Sequence, residues 1–307
     1  MRTRTIFYTI AVACAACIPL TGVYPVFMMK LLCLAIFACS YNLLLGYSGM
    51  LSFGHAAFFG TAAYATGWLM TVHRSGVGMS ILGGVLAAAV LGLVIGVVAI
   101  RRHGIYFAMV TLALAQLVYF VCLEAPFTGG ENGLQGVGRG ALFGLLPLKS
   151  DIAMYYLVLA AFVAVFAFIQ RVVHSPFGQV LKAIRENERR AISLGYDINR
   201  YKLAAFVLSA SLAGLGGSLK TLVLGFVTLS DVSQSASAEV ILMTLLGGIG
   251  TFFGPALGAA IVVTLQEYLS DIVGGWVTVI IGVIFVACVL TFRRGIVGAL
   301  ARFAKRV

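Results

Sequence analysis

Charge is what this sequence has least of. Its 307 residues include 21 Lys and Arg and 10 Asp and Glu, so charged residues make up 10% of the chain, against about 25% in a soluble globular domain. With 61% apolar residues and a mean hydropathy of +1.06, that shortage excludes a water-soluble fold. Alternating polarity is also absent, which excludes a membrane β-barrel. Crossing a hydrocarbon core about 30 Å thick then takes about 20 apolar residues per helix. The expectation is all-α: one transmembrane domain over 1–307, a polytopic helix bundle with roughly eight to ten spanning segments.

Cysteine is scarce too, and Cys14, Cys17, Cys33, Cys39, Cys122 and Cys288 lie in apolar stretches without metal-type spacing. A disulfide framework or zinc site is not expected; they read as small packing residues. No GxxxxGK[ST] motif occurs, so ATP binding by that loop is excluded, and any ATP drive must come from another chain. A net charge of +11 invites a nucleic-acid reading, but 16 of the 21 basic residues fall at the N-terminus, at 101–102, between 171 and 202, or after 292. The positive-inside rule accounts for that placement, so nucleic acid is not the expected partner.

What is present is a series of apolar runs at 6–23, 26–45, 55–72, 78–100, 105–123, 152–170, 203–227, 237–248, 255–269 and 275–292. The first follows Met1-Arg-Thr-Arg-Thr and resembles a secretory signal in outline, but it continues past 20 without a persuasive small-x-small cleavage site, leads into a further apolar segment and reads as a first membrane helix. Eight runs are long enough to span. The pair 237–248 and 255–269, separated by Gly247-Gly-Ile-Gly-Thr-Phe-Phe-Gly-Pro255, reads as broken or re-entrant helices. With Arg2 and Arg4 cytoplasmic, six crossings put 171–202 inside and 125–150 outside. The basic C-terminus (Arg293, Arg294, Arg302, Lys305, Arg306) then returns inside, through one span plus a re-entrant pair or through three thin crossings.

The segment from Ser175 to Gly195 stands apart. Lys and Arg at 171, 182, 185, 189, 190, 200 and 202 oppose only Glu186, Glu188 and Asp197, while Val180, Leu181, Ile184, Ala191, Ile192 and Leu194 recur at helical spacing. One or two surface helices that dock a soluble partner are expected there. Gly46, Ser48, Gly49, Ser52 and His55 bring small and polar residues to membrane depth, which fits either a watery path or close helix packing. Thr111, Gln116, Lys220, Glu239 and Glu267 are further polar groups in costly places, with span ends and snorkelling as the plain explanation. Gly46-Tyr47-Ser48-Gly49 also matches the G-x-S-G of intramembrane serine proteases, with His55 as the nearest base.

Six stretches in order resemble a known family: Tyr41 to Gly60, Gly104 to Gln116, Thr128 to Leu134, Ala183 to Arg189, Tyr201 to Ser209 and Leu246 to Pro255. Together they are similar to the permease subunits of branched-chain amino acid ABC importers, in the LivM-like branch, and the likeness runs through most of the chain. The resemblance implies a non-enzymatic transport subunit in a bacterial plasma (inner) membrane. Its implied partners are a second, LivH-like permease, two cytoplasmic ATP-binding subunits that hold the ATP and magnesium, a periplasmic or extracellular solute-binding protein, and membrane lipid. Arg185, Glu186, Glu188, Arg189, Arg190 and Gly195 match its EAA-type coupling loop, although Arg189-Arg190 stands where the family often has alanines or one Arg. Gly46, Ser48, Gly49, Ser52, His55, Thr111, Gln116, Gly247, Gly248 and Gly250 are the candidate path lining, and Thr128, Gly129, Gly130 and Gly133 the candidate external contact. A solitary ion-coupled transporter or channel is the main alternative, the serine protease a further one, and urea, short amides or aromatic acids are alternative substrates.

Overall fold

The computed structural model describes residues 24–142, 146–147 and 150–291. The 6–23 run, with Cys14 and Cys17, and the basic groups at Arg2, Arg4 and after 292 lie outside the described residues. Helices α1 (Pro25–Asn42), α2 (Ala56–Thr71), α3 (Val77–Ala99), α4 (Ile105–Glu124) and α5 (Asp151–His174) are followed by two short helices, α6 (Pro176–Glu186) and α7 (Glu188–Ser193). Then come α8 (Ile198–Leu224), α9 (Gln234–Gly247), α10 (Gly254–Val273) and α11 (Val277–Thr291). The small β content is two antiparallel two-stranded ladders. β1 (Leu134–Gln135) pairs with β4 (Phe226–Val227), and β2 (Ala141–Leu142) pairs with β3 (Leu146–Pro147).

Among the described residues, five helices are long and apolar enough to cross a membrane: α1 continued to Tyr47, α3, α4, α5 and α8. The chain is thus an all-α polytopic bundle, organised around α8. One face of α3 carries Met79, Leu82, Leu86, Val90, Leu93 and Val97, all exposed. Its other face is a small-residue rail of Gly84, Ala88, Gly92 and Gly96. A Cβ on Gly92 would lie 2.6 Å from the Ala210 Cβ, and one on Gly214 would lie 2.5 Å from the Ala88 Cβ, so α3 and α8 meet almost backbone to backbone. Lipid is as apolar as leucine, so such close packing, rather than a hydrophobic drive, holds membrane helices together.

Two expectations about spans need correction. The 55–72 run forms only the 16 residues of α2, about 24 Å at 1.5 Å per residue, and it does not span alone. Its N-terminal end sits inside the bundle, where Ala56 N–H donates to Ser237 Oγ at 3.0 Å and Phe53 N–H donates to Thr111 Oγ1 at 3.3 Å. The chain between Ser48 and His55 is therefore an unwound climb from the end of α1 to mid-bundle. The 255–269 run extends into the 20-residue α10, about 30 Å long, and is not too short to cross.

The α9–α10 pair also runs from end to end rather than returning to one side. Both ends of α8 mark the ends of the bundle: Lys202 lies beside Glu188, and Lys220 beside Asp231. α9 starts next to Asp231, and the turn after it meets Gly46, beside α6. α10 then carries Glu267 back to Lys30 at the start of α1, 2.9 Å away. Along the bundle this follows the course of three thin passes, by helices that are not among the five long and apolar enough to cross a membrane. Close packing sustains it, because a Cβ on Gly247 would lie 1.8 Å from Gly254 O and one on Gly258 would lie 1.9 Å from Met243 O.

A candidate coupling surface and a broken helix

Each of the helices around the charged segment is started by its own side chain. Ser175 Oγ accepts from Gly178 N–H (3.4 Å), Asn187 Oδ1 from Arg190 N–H (3.1 Å) and Asp197 Oδ1 from Arg200 N–H (3.4 Å), which caps α6, α7 and α8 in turn. Val180, Ile184, Ala191 and Ile198 form a buried apolar cluster that glues the two short helices to the start of α8. Gly195, at φ +84°, ends α7 with its N–H on Ile192 O at 2.9 Å, the left-handed stop that glycine favours. Where the sequence predicts one or two short helices, two are present.

The charged residues of this segment divide by direction. Glu186, Arg189, Arg190 and Gly195 are exposed, together with Ile192 at 60% and Leu194 at 67%. Apolar side chains ringed by arginines and left in the open make a surface suited to a partner. Arg185 and Glu188 have a second role that sequence reasoning did not assign. Arg185 Nη1 donates to Gly46 O, while Glu188 accepts from Lys202 Nζ at 2.8 Å and faces His103 Nδ1 at 3.4 Å. They bolt the surface helices to the end of α1, to α8 and to the α3–α4 connection. A cavity of about 540 Å³ opens there, lined among others by Ser48, Gly49, His103, Arg185, Glu188 and Lys202.

Arg185 reaches Gly46 because α1 does not end as an α-helix. Leu43–Tyr47 forms a π-helical turn, of the kind found at functional sites, and the chain then breaks at Gly49 with φ +74°. Asn42 holds the break against the α9–α10 turn: its Oδ1 accepts from Gly250 N–H and its Nδ2 donates to Thr251 O, each at 2.9 Å. A Cβ on Gly46 would lie 2.2 Å from Asn42 Oδ1 and 2.8 Å from Gly250 N, so glycine is what lets the two backbones close. The π turn, Arg185 and the Gly248–Gly250 bend form one junction.

The other candidate path residues lie deeper. Ser52 and His55 are wholly enclosed, and Thr111 is 1% exposed. His55 sits among Phe37, Tyr41 and Phe58, with its Nε2 3.2 Å from Ser209 Oγ. Ser48 Oγ donates to Leu44 O at 2.5 Å, and the partner of His55 is Ser209, so the G-x-S-G reading gains no Ser48–His55 pair. Gln116 is half-buried and reaches Gln234 at 3.4 Å. At the opposite end of the bundle, Thr128 Oγ1 donates to Cys122 O at 2.6 Å, and Gly133 lies against Val227 O, while Gly129 and Gly130 turn the chain at positive φ. Phe127, Gly129, Glu131, Asn132 and Gln135 are among the residues this loop exposes. Among the described residues no group of three His, Cys, Asp or Glu is placed to hold a metal, and Cys33, Cys39 and Cys122 are free and buried.

Two charged partnerships had no counterpart in the sequence reading. Lys220 neither snorkels nor stands alone: its Nζ bonds the Asp231 carboxylate across the turn after α8 and lies 5.7 Å from the Phe59 ring centroid. Lys30, on α1, is held by Glu267 of α10. A spacing of 237 residues separates the second pair, so no local pattern announces it.

Fold and site thus define a multi-pass helical membrane protein with an exposed basic segment tied to a broken membrane helix. The family model described as "Branched-chain amino acid transport system / permease component" matches residues 26–289, and the chain belongs to that family. It is 32% identical over 257 residues to the high-affinity branched-chain amino acid transport system permease protein LivM of Escherichia coli K12, covering 75% of this chain and 60% of that one. It is 27% identical over 241 residues to a probable LivM of Methanocaldococcus jannaschii, covering 72% and 66%. It is also 23% identical over 261 residues to E. coli K12 LivH, covering 77% and 81%. The chain thus spans about three fifths of the length of the bacterial LivM relative. No solved structure matches it.

Proposed function

We propose that this chain is a permease subunit of an ATP-driven importer of branched-chain amino acids in a bacterial plasma (inner) membrane, with both termini cytoplasmic. It pairs with a second, LivH-like permease, two cytoplasmic ATP-binding subunits that supply ATP and magnesium, and an external solute-binding protein, and it sits in lipid. The observation that carries this reading is the junction at Gly46. Exposed Glu186, Arg189, Arg190, Ile192 and Leu194 offer a docking face, and on the same two helices Arg185 holds the broken end of α1. Movement of a docked subunit would be transmitted through Arg185 to the π turn and the α9–α10 bend, the kind of two-state element that ATP can bias. Family membership over 26–289 supports the transport class and the substrate class. The unwound stretch holding Ser48, Gly49, Ser52 and His55, with Thr111, Gln116 and the bend at Gly247, Gly248 and Gly250, is the proposed moving wall of the path. The loop at 125–150 is the proposed outer contact.

The test is purification of the tagged chain from its own host in mild detergent, followed by reconstitution. Two ATP-binding chains and a second permease should co-purify, and uptake of leucine, isoleucine or valine into proteoliposomes should require ATP. Uptake that follows a proton or sodium gradient and ignores ATP would instead establish the solitary transporter.

A further inference from the structure

The cavity of about 540 Å³ lies where α3 stops at Ala99 and α4 begins at Ile105, the level at which spanning helices meet lipid headgroups. Its charges do not balance. Arg102, Arg185 and Lys202 line it against a single carboxylate, Glu188. That carboxylate is already engaged, with Lys202 Nζ at 2.8 Å and His103 Nδ1 at 3.4 Å. Arg185 uses one N–H on Gly46 O, a neutral acceptor, and among the described residues neither Arg185 nor Arg102 has a carboxylate within ion-pair distance. Two guanidinium groups are therefore left for an anion, and a guanidinium grips phosphate through paired, parallel N–H donors. The rest of the lining is largely apolar: Ile100, Phe107, Ala108 and Ile184 are all buried. Ile105, also part of it, is 71% exposed, and Met109, Ala113 and Leu117 continue its exposed stripe up α4, one helical turn at a time. Basic groups beside an apolar floor, with an apolar track leading into the membrane, match the head and chain of an anionic phospholipid.

We infer that this cavity holds the headgroup of an anionic phospholipid from the leaflet on the docking-segment side, with Arg102 and Arg185 on its phosphate and one acyl chain along the Ile105–Leu117 stripe of α4. A docked protein is the other source of an acidic group, but Glu186, Arg189, Arg190, Ile192 and Leu194, which form the docking face, are absent from the lining. The volume falls within the range of pockets that enclose small ligands, about 300 to 1,000 Å³. A bound phosphate also takes N–H groups of Arg185 that Gly46 O leaves open, which keeps that guanidinium aimed at the π turn. Only a membrane-spanning chain is required, so the site stands or falls separately from the import reading.

Thermal unfolding of the full chain, purified in mild detergent and stripped of lipid, tests the site without ATP-binding subunits. Dioleoylphosphatidylglycerol at about ten times its half-saturating concentration should raise the midpoint by about 3 °C. Dioleoylphosphatidylcholine, with the same chains and a zwitterionic head, should not, and neither should sodium phosphate at equal ionic strength. Arg102→Gln should remove most of the phosphatidylglycerol response, whereas Arg101→Gln, one residue away and outside the lining, should keep it. An equal shift with phosphatidylcholine, or the same shift with sodium phosphate alone, overturns the proposal. Equal losses in the two variants also overturn it, because diffuse positive charge would then explain the binding. So does the absence of any shift with phosphatidylglycerol, which would leave the arginines to an acidic side chain of a docked subunit. A second readout needs no variant: phosphatidylglycerol carrying a diazirine on one acyl chain, cross-linked and mapped by mass spectrometry, should favour residues 105–117 over the exposed face of α3 by about fivefold. Adducts spread evenly over the two helices would contradict the site.

Discussion

The two ends of α8 hold largely buried lysines whose carboxylate partners differ in exposure. At the start, the Lys202 side chain is only 9% exposed, but it joins Glu188 at 33% and, through it, His103 at 63%. Near the other end, Lys220 and Asp231 are 17% and 7% exposed and are packed against Phe59. The same chemistry does two jobs. At the first pair water reaches the carboxylate, whereas at the second the carboxylate is the enclosed member and forms part of a cavity wall. Removing the partner of a buried charge leaves that charge stranded, and the most enclosed carboxylate of the two pairs is Asp231, at 7% exposed.

The most direct way to break that contrast is Lys220→Met. It strands Asp231 and should destabilise the chain by about 3 to 5 kcal/mol, visible as a lower unfolding midpoint in nanodiscs. Adding Asp231→Leu should recover most of the loss, and no recovery would show that Asp231 is needed for something other than its partner. Next in size is Gly217→Ala on the same helix. Its Cβ would meet Phe59 O at 2.0 Å, so the α2–α8 contact must open, at about 2 kcal/mol of overpacking strain. Arg185→Ala is expected to spare folding while lowering ATP-driven uptake about tenfold, the size of a typical coupling energy. ATPase activity that then ignores solute would sharpen the assignment, and unchanged uptake would remove Arg185 from the transmission. The smallest effect belongs to His103→Ala, under about 0.5 kcal/mol, because an exposed imidazole against Glu188 contributes little.

Much of the fold is legible in the residues because apolar runs and charge are so unevenly distributed. The segment at 175–195 announces itself, since its arginines interrupt a sequence that otherwise avoids charge, and α6 and α7 follow from Ser175 and Asn187 as caps. What hides is anything decided by a distant neighbour. The 55–72 run looks like a span, yet α2 begins only where Ala56 finds Ser237, and nothing near Ala56 in sequence marks that depth. Lys220 looks unexplained until the chain folds back and brings Asp231 to it. Asn42 lies within a stretch that resembles the family, but its role as a stitch to Gly250 depends on a turn more than two hundred residues away. In the sequence, Arg185 and Glu188 are indistinguishable from the rest of a docking face. Their inward bonds to Gly46, Lys202 and His103 make them the link between that face and the membrane helices.

All of this rests on the docking segment and the Glu131 loop lying on opposite faces of the membrane. Single cysteines at Arg190 and Glu131, in a background where the native cysteines are replaced, can be probed in intact cells with a membrane-impermeant maleimide. The cysteine at 131 should label at once, and the one at 190 only after the membrane is opened. Labelling of both from outside would contradict it, because the basic segment would then face away from every ATP-binding partner.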